Sequence, residues 1–208
     1  MVMVKICGLR DPDMVAFAAR SGADWIGFMF TPSPREVTLA AAATLLLSVG
    51  SAVPVGVMVN PSDDEARAVT GLGIRVLQLH GTETPGRVAE LKALTGADVW
   101  KAVGVREAAD LAHAARFTGA DRLLIDAKPP EGTAIAGGHG AAFDWTLLKG
   151  WTPPRPWLLA GGLTPENVAA ALLETGAGAV DVSSGVERSR GLKDKDLVRA
   201  FLHAAKGQ

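Results

Sequence analysis

Apolar residues in this chain gather into eight short runs: Val2–Ile6, Trp25–Phe30, Val53–Val59, Arg75–Leu79, Val99–Val103, Leu123–Ile125, Trp157–Ala160 and Ala179–Val182. Most are apolar at both odd and even positions, as expected of strands buried on both faces. Between them lie stretches rich in Ala, Leu, Glu and Arg that read as helices: Asp13–Arg20, Leu39–Val49, Asp63–Thr70, Pro85–Leu94, Ala108–Arg116, Phe143–Lys149, Pro165–Glu174 and Lys195–Ala205. Start signals support several of these, with Asn60-Pro61-Ser62 and Thr164-Pro165-Glu166 setting a proline near a first helical turn.

A strand-then-helix unit repeated eight times predicts an α/β fold, a single (β/α)8 TIM barrel forming one catalytic domain over residues 1–208. An open doubly wound sheet is the competing architecture. It normally carries a glycine fingerprint after its first strand, whereas this first strand runs into Cys7-Gly8-Leu9-Arg10. The longest expected loop, Ala127 to Ala142, is punctuated by glycine and proline and leaves the sixth strand. In a barrel all β-to-α loops share one face, and the chemistry belongs there.

Composition narrows the classes. The 208 residues are 48% hydrophobic, enough for one sizeable core, and 21 basic residues balance 22 acidic ones. That near-neutrality gives no footprint for nucleic acid or an anionic membrane. No apolar stretch approaches the length of a signal peptide or a membrane span. One cysteine excludes an internal disulfide and fits a reducing compartment, so a cytoplasmic location is expected. His80, His113, His139 and His203 lack metal-ligand spacing, and neither a Walker sequence nor a Gly-x-Ser-x-Gly elbow occurs. No metal or other cofactor is expected.

The candidate chemistry sits at the ends of strands. Cys7, the lone thiol, ends the first; a buried cysteine is often just a small hydrophobe, but a thiol delivered to a barrel rim can move protons. Asp126 ends the sixth strand and supplies a second proton-transfer group, unless it merely caps its loop or pairs with Lys128. Arg35, in Ser33-Pro34-Arg35, can match a carboxylate bidentately. Gly161-Gly162 after strand seven and Ser183-Ser184-Gly185 after strand eight suit a phosphate, because glycines let backbone N–H groups approach an anion.

Taken in order, Lys5-Ile6-Cys7-Gly8-Leu9-Arg10, Ser33-Pro34-Arg35, Val57-Met58-Val59-Asn60, Leu77-Gln78-Leu79-His80-Gly81, Leu124-Ile125-Asp126, Gly137-Gly138-His139-Gly140 with Phe143-Asp144-Trp145, Leu159 to Asn167, and Asp181 to Glu187 resemble the phosphoribosylanthranilate isomerase family over essentially the whole chain. The resemblance implies a cofactor-free rearrangement in tryptophan synthesis. Its substrate would be the phosphorylated aminosugar N-(5-phosphoribosyl)anthranilate and its product the 1-deoxyribulose 5-phosphate. It would make Asp126 the general acid and Cys7 the general base. Arg35 would hold the anthranilate carboxylate, and Gly161, Gly162, Ser183, Ser184 and Gly185 the phosphate; Gln78, His80 and Asp181 would line the sugar site.

Two positions depart from the family pattern: His139 stands where a threonine is usual, and Arg190 where a proline commonly precedes Gly191. Both are expected on the ligand rim, where they bear on affinity rather than reaction type. The alternative to an isomerase is a non-catalytic or different phosphosugar-binding barrel. Subunit number is not legible in the sequence.

Overall fold

A computed structural model describes residues 1–127 and 145–207 of the chain. Eight strands close into a barrel in sequence order: β1 (Met3–Cys7), β2 (Trp25–Met29), β3 (Val53–Met58), β4 (Val76–Leu79), β5 (Asp98–Val105), β6 (Arg122–Ala127), β7 (Trp157–Ala160) and β8 (Ala179–Val182). All neighbours pair in parallel, and β8 returns to β1 with Lys5 opposite Asp181 and Ile6 opposite Val182. The eight strands expected from the apolar runs are therefore those of the observed barrel.

Side chains alternate across each strand, so one parity faces the helices and the other the barrel interior. Val4, Ile6, Ile26, Phe28 and Leu77 belong to the large core shared with the helices. Trp25, Val55, Val76, Trp100, Leu158 and Ala179 form a separate cluster inside the barrel, and Ala102, Leu124 and Ala160 a third. The interior is thus a packed plug beneath the rim.

The outer layer among the described residues holds α1 (Pro12–Arg20), α2 (Leu39–Leu46), α3 (Asp63–Gly71), α4 (Pro85–Thr95), α5 (Ala108–Ala114), α6 (Val168–Thr175) and α7 (Lys195–Lys206). Prolines begin α1 and α4, behind the caps Asp11 and Thr84. At the two sites singled out in the sequence the proline lies further out. Ser62 caps α3 with a capping box completed by Glu65, so Pro61 precedes the cap, and α6 starts only after Asn167. The helix expected over 143–149 is, in its described part, a 3-10 turn, Trp145–Leu148. A short antiparallel hairpin, β9 (Glu187–Ser189) and β10 (Leu192–Lys193), follows β8 and has no counterpart in the apolar pattern. No helix among the described residues is long and apolar enough to cross a membrane.

Candidate functional site

The C-terminal ends of the strands open into one cavity that brings together every candidate residue: Cys7, Arg35, Gln78, His80, Asp126, Gly161, Gly162, Asp181, Ser183, Ser184 and Gly185. Strand parity explains the convergence. Residues two apart on a strand share a face, so Cys7 stands directly above Lys5, and His80 above Gln78.

Cys7 is 5% exposed and sits opposite Gly27 of β2. A Cβ on Gly27 would lie 2.8 Å from Cys7 Sγ and 3.0 Å from Lys5 Nζ, so only glycine leaves space for the pair. Lys5 is fully buried and donates from Nζ to Asp181 Oδ1 at 2.8 Å. Burial pushes the Cys7 thiol above its ordinary value of 9.0, the Lys5 ammonium opposes this, and the Asp181 carboxylate adds to the rise. Asp181 also borders the cavity, so it serves both an internal ion pair and the site wall.

On the facing side, Gln78 Nε2 lies 3.4 Å from His80 Nδ1, and His80 Nε2 lies 3.4 Å from Asp126 Oδ2. His80 and Asp126 are both partly exposed to the cavity. Gln78 is almost wholly buried, and its Oε1 has no hydrogen-bond partner among the described residues.

Arg35 reaches the cavity from the loop after β2, and its fork is already engaged. Nε donates to Glu187 Oε1 at 2.6 Å and Nη2 to Glu187 Oε2 at 2.8 Å. Glu187 also accepts from Lys193 Nζ at 2.7 Å and from the Gly191 N–H at 2.9 Å. Burial works against its charge, but these donors outweigh it and hold the carboxyl down to about 2. Lys193 donates further to the Ser183 carbonyl at 2.8 Å, and Ser183 Oγ donates to the Cys7 carbonyl at 3.2 Å. One polar chain thus runs from Arg35 to the turn after β8. The guanidinium stem lies over Gly8, where a Cβ would come within 2.5 Å of Arg35 Cδ.

The two glycine turns, after β7 and β8, meet in one wall of the cavity. Gly161 and Gly162 have φ of +90° and +63°, a region open to glycine. Asn167 ties their loop down: its Nδ2 donates to the Gly162 carbonyl at 2.9 Å, and its Oδ1 accepts from the Thr164 N–H at 2.8 Å. After β8, Ser184–Val186 forms a 3-10 turn, whose first N–H groups have no carbonyl partner within it. Gly185 packs so closely on the Leu163 carbonyl that any Cβ would collide with it. The two loops therefore form one surface.

Sequence reasoning left Lys5, Gly27, Glu187 and Lys193 without roles. A lysine inside the apolar run Val4-Lys5-Ile6, at the same parity as Cys7, was the available signal for the first. Arg190 is exposed in the β9–β10 turn and is not among the residues lining the cavity, while its neighbour Gly191 bonds Glu187. His139 and Lys128 lie outside the described residues, as do the loop expected over 127–142 beyond Ala127 and the motif over 137–145 up to Trp145. No group of three or more His, Cys, Asp or Glu among the described residues is placed to hold a metal ion.

Comparisons with known proteins give a consistent pattern. The family described as N-(5'phosphoribosyl)anthranilate (PRA) isomerase matches residues 4–204. The chain is similar to the N-(5'-phosphoribosyl)anthranilate isomerase of Hyphomonas neptunium, with 70% identity over 206 residues that cover 99% of this chain and 98% of that one. Among solved structures it is similar to phosphoribosyl anthranilate isomerase from Thermotoga maritima, with TM-score 0.90, 36% identity and full coverage of both chains. It is also similar to a phosphoribosyl anthranilate isomerase solved in complex with reduced 1-(o-carboxyphenylamino)-1-deoxyribulose 5-phosphate, with TM-score 0.87, 33% identity and full coverage of both.

Proposed function

From membership of the N-(5'-phosphoribosyl)anthranilate isomerase family, to which this chain belongs, we propose how its own residues carry out the isomerisation. The reaction converts N-(5-phosphoribosyl)anthranilate to 1-(2-carboxyphenylamino)-1-deoxyribulose 5-phosphate in tryptophan biosynthesis. Asp126 donates a proton to the furanose ring oxygen as the C1–O bond breaks, and the nitrogen lone pair forms the C1=N bond of a Schiff base. Cys7, as thiolate, then removes the proton from C2. The electrons left behind form the C1=C2 bond and neutralise the nitrogen. The resulting enolamine takes up a proton at C1 while its C2 hydroxyl gives one up, and so becomes the ketone.

The observation that carries this reading is that Cys7 on β1 and Asp126 on β6, three strands apart around the barrel, border the same cavity. A substrate between them can meet an acid and a base on two sides. The Gly161-Gly162 and Ser183-Ser184-Gly185 turns receive the phosphate. Arg35 receives the anthranilate carboxylate: two of the five N–H groups of a guanidinium go to Glu187, which leaves the Nη1–Nη2 edge for a second carboxylate. Gln78, His80 and Asp181 border the sugar. In this reading the whole chain, residues 1–208, is one catalytic domain. It works in the cytoplasm, where a thiol base stays reduced.

The test is the loss of anthranilate fluorescence on turnover. Cys7→Ser should lower kcat by about two to four orders of magnitude, because a hydroxyl is far less acidic than a thiol. Binding of the reduced product analogue should change little. A serine variant with near-normal turnover would remove Cys7 from the role of base.

A further inference from the structure

Lys5 is an unusual occupant of a barrel interior. It is fully buried, in a strand otherwise apolar at its neighbours, and its ammonium has a buried carboxylate partner in Asp181. Stability alone is a poor reason to keep such a pair, since apolar replacements of buried ion pairs are often neutral or stabilising. Its position supplies another reason. Nζ of Lys5 and Sγ of Cys7 both press on the point left vacant by the missing Cβ of Gly27, so the ammonium faces the sulfur as well as Asp181.

We infer that Lys5 is a positioning residue for the thiol: its ammonium, shared between Asp181 and Cys7, stabilises the thiolate, and Asp181 sets how much of that charge reaches the sulfur. The inference rests on the reading of Cys7 as the base. Lys5 keeps its proton throughout and changes partner rather than charge state. When the thiolate accepts the C2 proton it becomes neutral, and the ammonium is left to Asp181.

The other groups around Cys7 do not replace it. Gly27 of β2 is neutral, and Ser183, in the loop after β8, offers only a hydroxyl to the Cys7 carbonyl. Lys193 of β10 is a second cation acting on the sulfur, but its donors go to Glu187 and to Ser183. Arg35 is bound to Glu187. Asp126 and His80 stand across the cavity on β6 and beyond β4, and bear on each other. A cation beside a thiol in a low-dielectric interior favours the thiolate, and a carboxylate there disfavours it. Burial lowers the proton affinity of Lys5, but the adjacent Asp181 carboxylate and the thiolate more than restore it.

The chain allows a direct measurement. It has one cysteine and no tyrosine, so alkaline ultraviolet titration reports the Cys7 thiolate without interference from phenolate. Lys5→Met should move that titration upward by about one pH unit or more, and kcat/KM near neutrality should fall about tenfold or more as the thiolate fraction drops. Asp181→Asn should move the titration downward, with the rising limb of kcat/KM following, whatever happens to its height. Opposite shifts are the signature; a purely structural pair would not move the thiol in opposite directions. If neither variant shifts the titration, or both shift it the same way, the inference is overturned. If the titration shifts but the rising limb stays put, Lys5 does tune the thiol, and it is the reading of Cys7 as base that fails. Should Lys5→Met not fold, Asp181→Asn decides alone: a downward shift supports the inference, and an unchanged or raised value overturns it.

Discussion

In its proposed role as the carboxylate receptor, Arg35 gains from being held. A free arginine on a loop would spend conformational entropy each time it met a carboxylate, whereas the Glu187 bidentate pair fixes the plane of the guanidinium beforehand. Arg35→Ala should weaken ligands that bear the anthranilate carboxylate by about 1.5–3 kcal/mol, and ligands without it much less. Equal losses for both classes would show that Arg35 supports its loop instead. Glu187→Gln should also raise KM more than it lowers kcat, because it frees the same side chain. Arg35 was legible from Ser33-Pro34-Arg35; Glu187 was visible in its motif but not its partner, because 152 residues separate the two and only the closed fold joins them.

Among elements, the strands were the most legible. Residues such as Val55, Leu77, Leu124 and Leu158 are buried whichever way they face, so a continuous apolar run marks the strand. The β9–β10 hairpin was not legible, because Glu187-Arg188-Ser189 is polar and three residues long and its reason for existing is the docking of Glu187. The turns that form the proposed phosphate wall depend on two glycines in different ways. At Gly162 an added Cβ meets nothing within 4 Å, but φ is +63°, so Gly162→Ala should cost about 1–3 kcal/mol of strain. At Gly185 the Cβ would strike the Leu163 carbonyl and force the two turns apart. Gly185→Ala should therefore lower the affinity for inorganic phosphate more than Gly162→Ala does at a comparable melting temperature. The reverse order in phosphate titrations would mean that contact between the turns does not shape the anion site.

For the molecule as a whole, the low carboxyl of Glu187 links stability to acidity. Its folded value is about 2 against an ordinary 4.5, so its contribution is complete above 4.5 and is lost as pH falls towards 2. Urea midpoints should decline through that window, and Glu187→Gln should flatten part of the decline. An unchanged slope in the variant would assign the acid sensitivity to other carboxylates. The closed strand order has a consequence for synthesis of the chain. Lys5 and Asp181 are 176 residues apart, as are Cys7 and Ser183, and they meet only where the last strand docks on the first. Until the ribosome has released nearly the whole polypeptide, Cys7 is an ordinary thiol with no charged partner from β8 and no substrate wall. A nascent or truncated chain ending before β8 therefore carries an accessible thiol without the proposed acid–base arrangement, and that arrangement forms in the same step that seals Cys7 inside the barrel.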